Sequence, residues 1–295
     1  MADGVVLLSK PSGETSFHAL GAVKRALGTG KVGHTGTLDK FAEGLLVVLT
    51  GRLTRLCPYV ESLDKEYVAE ITFGVGTETL DPEGERVAEG PVPTLDAIRS
   101  ALPRFQGSIL QEPPAFSALH VNGKRAYQLA RSGANVELPA RPVTIHELDL
   151  LEYAAPVARL RIVCSKGTYI RALARDMAAA LGSCAYVSGL TRTRIGGFLL
   201  AEAVAGSAFD PCRHLLTASA FFDRCPGLGR LVVREEWVSR VLGGAPLSSA
   251  SFQEPPEASG AHAVLSVGGE LLAMVTVSGA AIRYGAVFAR AECPA

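Results

Sequence analysis

The 295-residue chain has no Cys-x-x-Cys pair; its six cysteines (Cys57, Cys164, Cys184, Cys212, Cys225 and Cys293) stand singly. That spacing suits neither a zinc site nor a dense disulfide framework, so a reduced protein without metal is expected. No apolar run approaches the roughly 20 residues that span a bilayer, so no membrane association is expected. The start, Met1 to Lys10, lacks a basic n-region and a long apolar h-region; no secretory leader and a cytoplasmic location are expected. Net charge is missing too, with 29 basic and 29 acidic residues. Global disorder is excluded because 48% of residues are hydrophobic, enough to build one large domain plus a small one.

The charges that cancel overall are unevenly placed. Residues 61–100 hold ten acids against three bases, while residues 1–60, 101–145 and 146–200 each carry +3. An acidic flap can therefore coexist with a basic surface. Only seven of the bases are lysine. Arginine's planar fork suits phosphate contacts and base stacking, although a coding bias towards Arg, Ala and Gly leaves the same mark.

Along the chain, the patterning predicts a strand over Val5–Ser9. A helix follows, capped by Thr15 or Ser16, with Leu20, Val23 and Leu27 on one face. Strands are expected over Leu45–Thr50, Tyr67–Phe73, Phe116–Val121, Val157–Cys164 and within Tyr186–Leu200. Helices are expected over Thr94–Leu102, over Lys124–Arg131 with Gly133 closing it, and over Thr168–Ala180. In the last, Ile170, Leu173, Met177 and Leu181 form the apolar stripe and Arg171 sits one position off it. The pattern breaks at Cys225–Gly229, which divides the chain into 1–228 and 229–295. Short strands in the tail (Ala263–Val267, Leu271–Val277, Val287–Ala289) suggest a small β-barrel. Strands and helices mix without a regular βαβ rhythm, so the class is α+β.

The densest chemistry lies in residues 31–46, Lys-Val-Gly-His-Thr-Gly-Thr-Leu-Asp-Lys-Phe-Ala-Glu-Gly-Leu-Leu. Gly33, Gly36 and Gly44 with His34, Thr35 and Thr37 surround one carboxylate, Asp39, just before an apolar run. Glycines let backbone approach a ligand or adopt positive φ, so the segment is a shaped loop presenting an acid. By composition alone such an aspartate is first a turn or cap residue. The string Gly28-x-Gly30-x-x-Gly33 matches a dinucleotide fingerprint, but no helix follows it and positions 52–54 lack the acidic ribose ligand. Lys31 is followed by Val32, which breaks a phosphate-binding loop. No cofactor is expected.

This loop resembles the catalytic loop of the TruB family of pseudouridine synthases, and five further blocks resemble that family in order. They are Lys10-Pro11-Ser12-Gly13-Glu14-Thr15-Ser16, Lys65-Glu66-Tyr67, Pro113 to Lys124, Ser165-Lys166-Gly167-Thr168-Tyr169-Ile170-Arg171, and Gly189-Leu190-Thr191-Arg192-Thr193-Arg194. The resemblance implies a pseudouridine synthase fold: a mixed, mainly antiparallel sheet flanked by helices, with a PUA-like β domain at the carboxy terminus. It implies isomerisation of uridine 55 in the tRNA T-loop, with Asp39 as nucleophile on a flipped-out base. Tyr67, Tyr169 and Leu190 would contact the target nucleotide, Arg171 would pair with Asp39, and His34 would fill the vacated stack. Lys10, Lys31 and Lys166 are candidate RNA contacts. The partner would be tRNA, through its T-arm and, for the tail, its acceptor arm. No protein partner and a monomer are expected. The chain departs from the family pattern at Lys40 (usually proline), Glu43 (usually small and polar) and His120 (often lysine). A non-catalytic RNA-binding module and a nucleoside hydrolase are the rival readings.

Overall fold

The computed structural model describes residues 3–121, 123–132 and 138–288. Its centre is a ten-stranded sheet in the order β14-β1-β3-β12-β4-β11-β10-β7, with β2 added beside β3 and β13 beside β12. These strands are β1 (Gly4–Lys10), β2 (Val32–His34), β3 (Glu43–Thr50), β4 (Lys65–Phe73), β7 (Gly107–Gln111), β10 (Arg141–Ala154), β11 (Val157–Cys164), β12 (Ala185–Ile195), β13 (Phe198–Leu199) and β14 (Val204–Ala205). Only β1–β14 and β3–β12 pair in parallel, so the sheet is mixed and mainly antiparallel, as the family resemblance implied. Two small hairpins stand off it: β5 (Val75–Thr77) with β6 (Arg86–Glu89), and β8 (His120–Val121) with β9 (Lys124–Arg125).

The two apolar runs Val5–Leu8 and Leu45–Leu49 are continuous because their strands are covered on both faces. Their side chains alternate between two cores. Val6, Leu8, Leu46 and Val48 face one that includes Ala19, Leu20 and Val23 of α1 (Ser16–Leu27) and Ile170, Leu173 and Met177 of α5 (Ile170–Ala180). Val5, Leu7, Leu45, Val47 and Leu49 face the other. At roughly 1.5–3 kcal/mol per fully buried large aliphatic side chain, these runs account for a large part of the driving force for folding. Thr15 caps α1 as expected, its hydroxyl accepting from the His18 N–H, and Gly28 ends it at φ +59°.

The tail is a four-stranded sheet in the order β15 (Gly229–Val232), β16 (Gly260–Leu265), β17 (Leu271–Ser278) and β18 (Ala281–Val287). It has its own core around Leu231, Phe252 and Val275. It also contributes Ala263, Leu271, Met274 and Phe288 to the second core under the large sheet. Arg52 and Arg55 donate to the carbonyls of Phe288 and Val287 at 3.0 and 2.6 Å. The tail is therefore packed on the main sheet along a shared apolar seam.

Three local expectations need correction. Of the strand expected over Phe116–Val121, only His120 and Val121 are extended, in a two-residue hairpin arm; Pro113 and Pro114 just upstream remove two backbone donors. The helix expected over Lys124–Arg131 starts later, as α4 (Ala126–Arg131). The tail's last strand runs Ala281–Val287 rather than from Val287 onward. Gly133, Asn122, Ala289 and Cys293 lie outside the described residues. No described helix is long and apolar enough to cross a membrane.

Candidate active site

Asp39 lies in the loop between β2 and β3, and the loop is held by its main chain. Ser16 Oγ donates to the Leu38 carbonyl at 3.0 Å and accepts from the Leu38 N–H at 2.9 Å. Arg192 donates to the carbonyls of Gly36 and Leu45, both at 2.9 Å. Gly13 N–H and Ser12 Oγ bond the carbonyls of Lys40 and Phe41 at 2.8 and 2.7 Å. Gly44 is obligatory, because at φ +109° a Cβ would sit 2.4 Å from the Arg192 carbonyl oxygen. That close approach is where β3 pairs with β12.

Lys10 is corrected from RNA contact to structural residue. It is 1% exposed, and its ammonium donates to the carbonyls of Pro11, Glu14, Lys40 and Ala42 at 2.9, 2.6, 3.3 and 2.5 Å. A buried ammonium persists only when its protons are so used. Lys10→Met should lower stability by roughly 3 kcal/mol or more, because it strands several buried carbonyls; a urea titration checks this, and an unchanged midpoint would refute it.

Arg171 is the first-turn residue of α5 and brings the site together. Its Nε lies 2.8 Å from Asp39 Oδ2 and its Nη2 3.0 Å from Asp39 Oδ1, a two-pronged pair. The remaining donors reach the Thr79 carbonyl at 2.7 Å, the Phe116 carbonyl at 3.0 Å and Asp81 Oδ2 at 3.2 Å. The guanidinium is 5% exposed whereas the Asp39 carboxylate is 39% exposed, so the arginine forms the floor and the acid opens to the cleft. Burial pushes the Asp39 carboxyl above its ordinary value; Arg171 opposes the rise and the charge of Asp81 adds to it.

Asp81 is a site residue that the sequence reading missed. It sits in the turn between β5 and β6, directly after Leu80, a non-glycine residue at φ +62°. It is 5% exposed, and its carboxylate also accepts from Thr79 Oγ1 and the Glu83 N–H. A bulky residue in left-handed backbone costs about 1–2 kcal/mol, a strain that aims the carboxylate at Arg171.

A cleft of about 960 Å³ runs over these groups, lined among others by His34, Asp39, Tyr67, Tyr169 and Arg171. Tyr67 lies on β4, where burial raises its hydroxyl pKa against the pull of the nearby Arg192 charge. Tyr169 precedes α5; its N–H donates to Gln111 Oε1 at 2.8 Å, and the Arg141 guanidinium lies 5.2 Å from its ring centroid. His34 ends β2 at partial exposure. Lys65 and Arg192, both buried, line the cleft and were also missed; burial and the nearby Arg192 charge push the Lys65 amine down to about 8.

Leu190 is 8% exposed and packs in the first core, on the face of β12 that also carries Arg192. Lys31 and Lys166 are exposed and outside the cleft lining. The two departures beside the acid are both partnered: Lys40 lies 3.7 Å from Glu83, and Glu43 accepts from Thr191 at 3.1 Å. Among the described residues no cluster of three or more His, Cys, Asp or Glu could hold a metal.

Comparison with known proteins identifies the family and the fold. The family model described as TruB family pseudouridylate synthase (N terminal domain) matches residues 24–170. Proteins named tRNA pseudouridine synthase B are 46% identical in Borreliella burgdorferi, over 74% of this chain and 77% of that one. In Symbiobacterium thermophilum the identity is 47%, over 82% of each. Among solved structures, an H/ACA ribonucleoprotein bound to a substrate RNA containing 2'-deoxyuridine shares the fold, with TM-score 0.74 at 22% identity over 98% of this chain and 86% of that one. A Cbf5-Nop10-Gar1 complex does so with TM-score 0.72 at 24% identity, over 96% and 84%. At 46–47% identity to these synthases over 74–82% of its length, the chain belongs to the TruB family of pseudouridylate synthases.

Proposed function

We propose that this enzyme converts uridine 55 in the T-loop of tRNA to pseudouridine, with Asp39 acting on a nucleotide extruded into the cleft. The observation that carries the reading is the two-pronged Arg171–Asp39 pair at the floor of a cleft that Tyr67, Tyr169 and His34 also line. The reaction breaks the N1–C1′ bond, turns the uracil and joins C5 to C1′; the C5 proton leaves and N1 gains one. Positive charge builds at C1′ as the first bond breaks, and a carboxylate on the sugar face stabilises it or bonds to it. Attack at C6 of the base and removal of the 2′ proton are the other two routes, and each starts from ionised Asp39. Arg171 favours that charge and fixes both carboxylate oxygens. Tyr67 stacks on the uracil and is placed for proton transfer.

His34 would occupy the space the base leaves, and Lys31 and Lys166 would contact phosphates. Residues 1–228 would then be the catalytic unit and 229–295 a PUA-like unit gripping the acceptor arm. On this reading the enzyme is a monomer acting in the cytoplasm without a protein partner. A tritium-release assay on a T-arm transcript labelled at uridine C5 tests the reading. Release with loss of uridine is expected, whereas free uracil among the products would mark a hydrolase instead.

The raised Asp39 pKa sets the acid limb of the pH profile. Ionised Asp39 is the active form, so kcat/KM should climb with pH through a midpoint above the ordinary aspartate value of about 3.9. In Asp81→Asn the limb should move to lower pH, since that charge helps raise it. An unmoved or higher limb would contradict the assignment.

A further inference from the structure

Phe17 is the second residue of α1 and is 73% exposed, an aromatic ring left in water at the rim of the cleft. Packing does not explain it: the apolar stripe of α1 (Ala19, Leu20, Val23) lies on the buried face. Its position is fixed relative to the acid. The preceding residue, Ser16, bonds both polar groups of the Leu38 backbone, one residue before Asp39. The Lys24 ammonium lies 4.5 Å from the ring centroid, which leaves a cation-backed aromatic surface beside the site. The cleft lining repeats the arrangement on α4, where the Arg131 guanidinium lies 5.8 Å from the partly exposed Tyr127 ring. A rigid exposed ring next to a positive charge suits an unpaired nucleobase, whose π-face stacks on the ring while its phosphate meets the cation.

We infer that Phe17, backed by Lys24, is a stacking platform for a second unpaired base of the substrate RNA, outside the pocket that takes the reacting uridine. This rests on the cleft receiving a looped RNA. Phe17 is then a substrate-binding residue that sets affinity and leaves the chemical step alone.

The test separates stacking from mere apolar contact. With a T-arm stem-loop as substrate, Phe17→Ala should raise KM about tenfold and leave kcat within about twofold. Phe17→Trp should restore the parent KM, and Phe17→Leu should not. The protein's one tryptophan is Trp237, so Phe17→Trp in a Trp237→Phe background gives a single reporter at the rim. Its fluorescence should be quenched by the stem-loop even when Asp39→Asn removes turnover, so this readout stands apart from whether the chain makes pseudouridine. Full rescue by Phe17→Leu, a loss confined to kcat, or unquenched fluorescence at saturating RNA would each overturn the platform.

Discussion

Asp39→Asn should abolish pseudouridine formation, lowering kcat by about four orders of magnitude or more, as loss of a nucleophile does elsewhere. The substitution keeps the size of the side chain and one of its oxygens, so the loop should not move. Arg171 keeps its bonds to Asp81, Thr79 and Phe116, so the buried cation is not stranded. The sign of the stability change follows from the raised pKa. A group whose folded pKa lies above its unfolded value costs stability wherever it is ionised, so at neutral pH the charge of Asp39 is a burden on the fold. The Asn variant should melt at the parent temperature or slightly above it and bind a T-arm RNA as before. Tritium release from uridine-labelled RNA, thermal melting and a filter-binding titration make the three measurements. Release at the parent rate would end the assignment of Asp39 as nucleophile.

Arg171→Ala should be the more damaging change to the molecule as a whole. It removes the cation between two carboxylates, Asp39 and Asp81, and leaves the carbonyls of Thr79 and Phe116 without their donor. Breaking a buried pair from one side costs about 3–5 kcal/mol, enough to lower the melting temperature visibly. Activity should fall by more than the lost stability accounts for, because Asp39 then loses its orientation and its pKa rises further. Arg171→Lys should not rescue, since one ammonium cannot serve both carboxylate oxygens and two carbonyls in a plane. Adding Asp81→Asn to Arg171→Ala should recover part of the stability and little of the activity. A fall in RNA affinity equal to the fall in kcat would instead make Arg171 a phosphate contact.

The sequence showed the acid, its arginine partner and the tyrosines because each lies in a family block, and the coordinates bring them to one cleft. It did not show what depends on long-range burial. Asp81 is one of ten acids in residues 61–100, and only the turn after Leu80 sets it apart from the solvated ones. Lys10 was legible as a motif residue but not as a buried one, since a lysine's default is the surface. Leu190 was placed by its block against the nucleotide, and it packs in the core on the strand face that also carries Arg192. The longest strand, Arg141–Ala154, went unseen because register shifts near Ile145 and Leu150 break its alternation. Helix α1 was readable to within one residue of its cap, Thr15 or Ser16, since a capping hydroxyl acts locally.

Lys10, Ser16 and Arg192 share one property: all three grasp the acid loop by its peptide groups and ignore its side chains. The mould for the loop therefore lies in β1, α1 and β12, outside the segment it shapes. Substituents projecting from the loop are free to differ without relocating the carboxylate, which makes charged residues at positions 40 and 43 tolerable here. Evolution can re-dress the rim of such a site for new substrates while its reactive atom stays at one address.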